Sequence, residues 1–262
     1  RDFCLSRGLG DVYKRQLIYL ESPGTATFDI IDIPFITKIA KKNNIPTVMD
    51  NTWASPLFCN PIKLGVDIII DAGTKYINGH SDVLIGFVSS NKKYARKIRT
   101  AAKTLGICPG SDEVYLAIRG IPTLKIRMKE IESNALLMAK FLLDHDLVTD
   151  VFHPAFPNTK NHKIWKRDFS GASGLFSFIL KENYQRAALA AMLDGLELYG
   201  MGASWGGFES LIIPASPKDY RTATNWDEKG QVLRVHAGLE DIDDLIDDLG
   251  AGLDRLTDIS SV

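Results

Sequence analysis

Two residues in this chain could do chemistry together, a lysine and an acid. The lysine is Lys75, within Asp71-Ala72-Gly73-Thr74-Lys75-Tyr76-Ile77-Asn78-Gly79-His80-Ser81-Asp82. An apolar run from Val66 to Ile70 precedes this stretch and reads as a buried strand. A lysine just past such a strand, between Gly73 and Gly79, is poorly placed to be a mere solvated charge. Desolvation there lowers the pKa of an amine and makes it a nucleophile. Thr74 and Ser81 add hydroxyls able to hold a phosphate. The acid, Asp50, ends the short apolar run Ile45-Pro46-Thr47-Val48-Met49-Asp50, 25 residues upstream. A carboxylate at the C-terminal end of a strand stands where open α/β sheets bind ligands. Each has a plainer alternative. Lys75 could be a snorkelling surface charge, and Asp50-Asn51 a common turn.

Further along, Arg234 sits in the strand-like run Val232-Leu233-Arg234-Val235-His236. A guanidinium among Leu and Val needs a partner. Its planar fork suits a bidentate grip on a carboxylate, and a structural ion pair with Glu209 is the alternative. Ser204 and Trp205 precede Gly206-Gly207, a turn signal. His80 lies near Lys75, but no cysteine or second histidine completes a metal-ligand set, so it reads as a hydrogen-bonding histidine. Trp165 and Tyr76 read as packing residues.

A Schiff-base lysine and an acid that keeps a pyridinium nitrogen protonated are what a pyridoxal phosphate site needs. Asp50-Asn51-Thr52-Trp53-Ala54, Gly73-Thr74-Lys75-Tyr76 and Gly79-His80-Ser81-Asp82 resemble the signature of the cystathionine lyase and synthase family. These are the pyridoxal 5'-phosphate enzymes of cysteine and methionine metabolism. The likeness continues through Ser173–Phe178, Ser204–Leu211 and Leu233–Asp241. Trp165-Lys166-Arg167-Asp168-Phe169 and Ser204-Trp205-Gly206-Gly207 are most similar to bacterial cystathionine β-lyases. γ-Synthases and γ-lyases usually carry Leu at the position of Trp205. The resemblance implies that Lys75 bears the cofactor and moves protons, that Asp50 faces the ring nitrogen and that Thr74 binds phosphate. Arg234, Ser204 and Trp205 would receive the carboxylate of a small sulfur amino acid. Much of the family carries a serine two residues before the threonine–lysine turn, where this chain has Ala72-Gly73, and that departure leaves one phosphate contact open.

These residues must be positioned by an α/β fold. Strands are expected over Leu17–Glu21, Thr47–Asp50, Val66–Asp71 and Leu84–Ser89. A short helix capped by Asp32 carries Ile36, Ile39 and Ala40. Another starts at Asn91 with Tyr94, Ala95, Ile98 and Ala101 on one side, and a third spans Ser111–Arg119. Strands alternating with helices predict a mostly parallel sheet. After Ile121-Pro122, Thr123 is expected to cap a long helix reaching about Asp144, with Ile126, Ile131, Ala135, Met138 and Leu142 on its apolar side. Strands then follow over Val148–Phe152, Gly174–Leu180, Ser210–Ile213 and Val232–His236, with helices over Tyr184–Leu193 and Asp241–Leu256. The acids that open the last helix read as a solvated, dipole-matched face.

The resemblance implies the fold type I, aspartate aminotransferase-like architecture of pyridoxal-phosphate-dependent transferases. Residues 17–120 would be the C-terminal part of the large cofactor domain and residues 121–262 a complete small α/β domain. Residues 1–16 lie outside the likeness and read as foreign sequence. In the family, roughly the first third of the chain precedes the point matching Leu17. That third carries the glycine-rich phosphate loop and the tyrosine that stacks on the ring. The chain is therefore expected to be a truncated member, catalytically silent as it stands, and full-length relatives are expected to be dimers or tetramers. The leading expectation is a lyase cleaving cystathionine to homocysteine, pyruvate and ammonia. The alternatives are a γ-lyase, γ-synthase or sulfhydrylase, or a non-catalytic fragment. A nucleotide-binding α/β protein is disfavoured because no GxGxxG or Walker loop is present.

Composition agrees with an ordinary globular protein. The 262 residues are 45% hydrophobic and 24% charged, with a net charge of −1 that gives nucleic acid or an anionic membrane no handle. No apolar run is long enough to span a bilayer. Three widely spaced cysteines suit reduced thiols and a cytoplasmic protein.

Overall fold

The computed structural model describes residues 15–157 and 159–260. The segment expected to be foreign, residues 1–16, falls almost wholly outside them. Short β-branched and aliphatic runs build the first sheet: β1 (Ile18–Glu21), β2 (Thr47–Asp50), β3 (Ile68–Ala72) and β4 (Gly86–Ser90), in that order. β1, β2 and β3 are parallel, and β4 returns antiparallel to β3. Helix α1 (Ile33–Lys42) connects β1 to β2, and Asp32 caps it by accepting the Phe35 N–H at 3.1 Å. Its buried face is Ile33, Thr37 and Ala40, whereas Ile39, expected on the apolar side, is exposed. After β2 a single turn, α2 (Ser55–Phe58), leads back toward β3.

Two helices follow β4. Asn91 caps α3 (Lys92–Thr104), which buries no residue, and α4 (Ser111–Gly120) runs through a 3₁₀ turn into α5 (Leu124–Leu143). That continuous entry changes the role expected of Thr123. Its hydroxyl donates to the Gly120 carbonyl and accepts from Arg127 Nε instead of capping an amide of the first helical turn. Ile126 is exposed, because five residues from Ile131 is off the buried stripe of a 3.6-residue helix. That stripe is Met128, Ile131, Ala135, Met138 and Leu142, with Arg127 and Asn134 also buried.

The second sheet is antiparallel throughout, unlike the first. It comprises β5 (Val148–Phe152), β6 (Leu175–Leu180), β7 (Leu211–Ala215) and β8 (Val232–His236), ordered β5-β6-β8-β7. Between its strands lie α6 (His162–Asp168), α7 (Arg186–Asp194) and α8 (Pro217–Tyr220), and α9 (Ile242–Ser260) closes the described chain. Leu245, Leu249, Leu253 and Leu256 of α9 pack with α7 and α5 into one core with Phe176, Phe178 and Leu180. One acid of α9, in its second turn, does more than meet solvent. Asp248 accepts the backbone N–H groups of Glu197 and Leu198 at 3.1 and 2.9 Å.

Helix α5 belongs to both halves. Met128 and Ile131 join a cluster with Met49, Trp53, Tyr76 and Leu175, while Ala135, Met138 and Leu142 join the second core. The Trp53 indole N–H donates to the Leu175 carbonyl at 2.8 Å, tying the turn after β2 to β6 across the same seam. Among the described residues no helix is long and apolar enough to cross a membrane. Cys59 is buried, Cys108 is exposed, and both are free thiols.

Candidate active site

The C-terminal ends of β1, β2 and β3 open onto a cavity of about 250 Å³. Asp50 and Lys75 reach it from the first sheet, and Trp205 and Arg234 from the second half of the chain. Parallel strands bring this about, because their C-terminal ends all point the same way and the loops after them converge.

Lys75 is held where its amine is partly dehydrated. Burial lowers its pKa, and the Arg234 guanidinium adds to the effect. Nζ donates to Ser204 Oγ at 2.6 Å and lies 5.4 Å from the centre of the Trp205 ring. The backbone around it is clamped from α5. Buried Arg127 donates to the carbonyls of Tyr76 and Ile77, at 2.8 and 3.2 Å, and to that of Gly120 at 3.0 Å. Tyr76 turns inward, buried in the core, and its hydroxyl accepts the Gly174 N–H at 3.2 Å. It is a packing residue, as expected.

Asp50 is fixed by its own turn. Its Oδ1 accepts the Thr52 N–H at 2.9 Å, and the Thr52 hydroxyl in turn accepts the Ala72 N–H at 2.8 Å. Glu21 sits directly beside Asp50 in the β1–β2 register and also lines the cavity. Burial raises the pKa of Glu21, the Thr25 hydroxyl opposes that rise, and the neighbouring Asp50 charge adds to it. The cavity is thus lined by two acids, Glu21 and Asp50, and two cations, Lys75 and Arg234.

Arg234 reaches over from β8 and donates through Nη2 to the Ala203 carbonyl at 2.7 Å. That contact joins it to the turn holding Ser204 and Trp205. Gly206, with φ +82°, lies against Lys75 so closely that a Cβ would come 2.9 Å from the lysine Cβ. Glycine is required there on both counts.

Thr74 stands apart from the other expected site residues. Its hydroxyl donates to the Ile85 carbonyl at 3.2 Å and accepts the Ile85 N–H at 2.9 Å, so its one proton is committed within the β3–β4 turn. A Cβ at Gly73 would meet the Phe87 ring at 2.2 Å. His80 hydrogen-bonds through Nδ1 to the Asn78 carbonyl at 2.6 Å.

Sequence reasoning gave no role to Arg127 or His236, and took the Glu21-Ser22-Pro23 turn only as a likeness to a family turn near the cofactor. Parallel pairing of β1 with β2 would have placed Glu21 next to Asp50. An arginine between Ile126 and Met128 in a half-apolar helix was the signal for Arg127.

Known proteins resemble this chain in sequence and in fold. Residues 11–254 match the family described as Cys/Met metabolism PLP-dependent enzyme. The match includes residues 11–16. A cystathionine beta-lyase of Salmonella typhimurium is 41% identical over 246 residues, which are 92% of this chain and 62% of that protein. An L-alanine/L-glutamate racemase of Wolbachia pipientis wMel is 42% identical over 242 residues, 92% of this chain and 60% of that protein. The chain thus spans about three fifths of the length of these curated relatives. A crystal structure of cystathionine gamma synthase from Xanthomonas oryzae pv. oryzae, in complex with cystathionine, superposes with a TM-score of 0.85 at 32% identity. It covers 98% of this chain and 67% of that one. The mixed α/β architecture is that of fold type I, and the chain belongs to the Cys/Met metabolism PLP-dependent enzyme family, whose cofactor is pyridoxal 5'-phosphate.

Proposed function

We propose that this chain carries the lysine, acid and carboxylate-binding groups of a carbon–sulfur β-lyase that cleaves cystathionine to homocysteine, pyruvate and ammonia. The observation that carries the reading is the meeting of Lys75 and Asp50 from one sheet with Trp205 and Arg234 from the other half, around one cavity. The donor set fits pyridoxal phosphate: a half-buried amine of lowered pKa for the aldehyde, and a carboxylate fixed by its turn for the ring nitrogen. Bound there, the cofactor supplies an electron sink for the pair of electrons left when the substrate α-proton departs.

The chain's own residues do the rest. Lys75 holds the cofactor and, once displaced by substrate, moves the α-proton. Its lowered pKa suits a base near neutral pH better than an ordinary lysine would. Asp50 holds a proton at the ring nitrogen. Arg234 grips the substrate α-carboxylate, which fixes the α-carbon against Lys75. Ser204 holds the lysine amine in place, and Trp205 excludes water above it. Thr74 would contact phosphate only by releasing the Ile85 carbonyl. A small sulfur amino-acid substrate, a cytoplasmic setting and a homo-oligomeric full-length protein belong to the same reading.

Support for the β-lyase reaction comes from the Salmonella relative and from Trp205, where γ-lyases and γ-synthases usually carry Leu. A second reading has a specific observation behind it. The Wolbachia relative is a racemase, a reaction that needs the same α-proton transfer without carbon–sulfur cleavage.

Borohydride reduction of the cofactor-loaded protein, followed by peptide mapping, is expected to place the pyridoxyl group on Lys75. A label on another lysine would refute the assignment. Pyruvate release from cystathionine by the longer protein bearing this chain separates the two reactions. Loss of optical activity from L-alanine without pyruvate would favour the racemase.

A further inference from the structure

We propose that His236 is a positioning residue for Lys75: as a neutral ring protonated on Nδ1, it holds the Ser204–Gly206 turn over the lysine. The proposal rests on the reading of Lys75 as the reacting amine.

The hydrogen-bond geometry decides the tautomer. His236 is 1% exposed, at the end of β8. Its Nε2 is 3.1 Å from the Gly206 backbone nitrogen, which can only donate, so Nε2 must present its lone pair. The proton of the neutral ring then lies on Nδ1, 3.2 Å from the Glu209 carbonyl, which can only accept. Both ring nitrogens thus hold the Gly206–Glu209 bend, at its start and at its end, and that bend directly follows Ser204 and Trp205. Protonation would turn the acceptor for Gly206 into a second donor. Burial, with Arg234 and Lys75 nearby, keeps the ring neutral by pulling its pKa down to about 4.

What that turn does explains why its anchoring matters. Gly206 lies against the Lys75 backbone, Ser204 accepts from Lys75 Nζ at 2.6 Å, and the Trp205 ring stands over the same amine. Tyr76, the next residue after Lys75, contacts both sides, with ring centroids 5.5 Å from Trp205 and 5.9 Å from His236. This packing is part of the burial that lowers the Lys75 pKa. Releasing Gly206 would therefore let water reach the amine and return its pKa toward the ordinary value.

Competitive acetylation with limiting acetic anhydride across pH reads the Lys75 pKa in the cofactor-free protein. His236→Phe keeps a ring but loses both hydrogen bonds, and is expected to shift the apparent Lys75 pKa measurably upward, toward that of an ordinary lysine. His236→Gln can accept from Gly206 and donate to Glu209, and is expected to restore the wild-type value. An unchanged Lys75 pKa in the folded Phe variant would overturn the proposal. If that variant fails to fold, ¹⁵N NMR of the wild-type imidazole decides: a neutral Nδ1-protonated ring at pH 7 supports the proposal, and an Nε2-protonated or doubly protonated ring overturns it. Failure of the underlying reading looks different, with the borohydride label on another lysine while the acetylation shift in the Phe variant persists.

Discussion

The two sheets of this chain solve burial in opposite ways. In the antiparallel sheet all six residues of β6 are buried, because helices pack one face and the seam with the first half covers part of the other. In the first, mixed sheet only β2, one of its two inner strands, is mostly buried. β1 and β4 form the edges, with Tyr19 and Val88 more than half exposed, and α3 beside β4 buries nothing. Yet Lys75 and Asp50 sit on that weaker sheet. The stronger half contributes by reaching across, with Arg234 from β8 and the Ser204–Gly206 turn. The site is therefore built at the seam, where a rigid core positions groups on a more lightly packed one.

Three substitutions would break or sharpen that contrast. The largest effect is expected from Phe178→Ala, which empties a fully buried position in the second core. It should cost about 3–5 kcal/mol in urea unfolding. A loss below about 1 kcal/mol would mean that this half is not the rigid one.

Next is Asp71, buried in β3 with Oδ1 lacking a partner among the described residues. Burial, with Asp50 nearby, raises its pKa to about 6, and Asn51 partly opposes the rise. The folded state thus holds the proton more tightly than the unfolded chain does. Stability from this group is complete below about pH 4 and falls as pH rises through about 6. Asp71→Asn removes that loss. It should stabilise the protein by about 1–3 kcal/mol at pH 8 and leave it unchanged near pH 4, as unfolding at the two pH values would measure. An equal effect at both pH values would show that the charge is not what the first sheet is carrying.

The smallest effect is expected from Ile98→Ala on α3. With no buried residue on that helix, the change should stay within about 0.5 kcal/mol. A cost like that of Phe178→Ala would show that α3 packs against something beyond the described residues.

These differences bear on what could be read in advance. The strands Thr47–Asp50, Val148–Phe152 and Val232–His236 were legible to the residue, since β-branched runs bounded by turn residues leave little choice. Leu245, Leu249, Leu253 and Leu256 of α9 recur at helical spacing, so its buried stripe can be read from the sequence. Ile39 and Ile126 were misplaced because an apolar residue off the main stripe looks the same in sequence as one on it. The antiparallel order β5-β6-β8-β7 was not legible, because helices lie between its strands as they do in the first sheet, and pairing direction depends on how long connections return.

By itself the sequence determined the chemistry available: a lysine past a buried strand, an acid at a strand end, an arginine inside another, and glycines beside each turn. Residue type and local spacing are enough for that, because hydrophobic periodicity and turn preference act over a few residues. Only the tertiary structure decided the working arrangement. It brought Ser204 to Lys75 across 129 positions, set Glu21 beside Asp50, turned the Thr74 hydroxyl onto Ile85, and fixed the His236 tautomer through Gly206 and Glu209. Those contacts join segments far apart in the chain, and their directions depend on packing between two sheets that no local rule encodes.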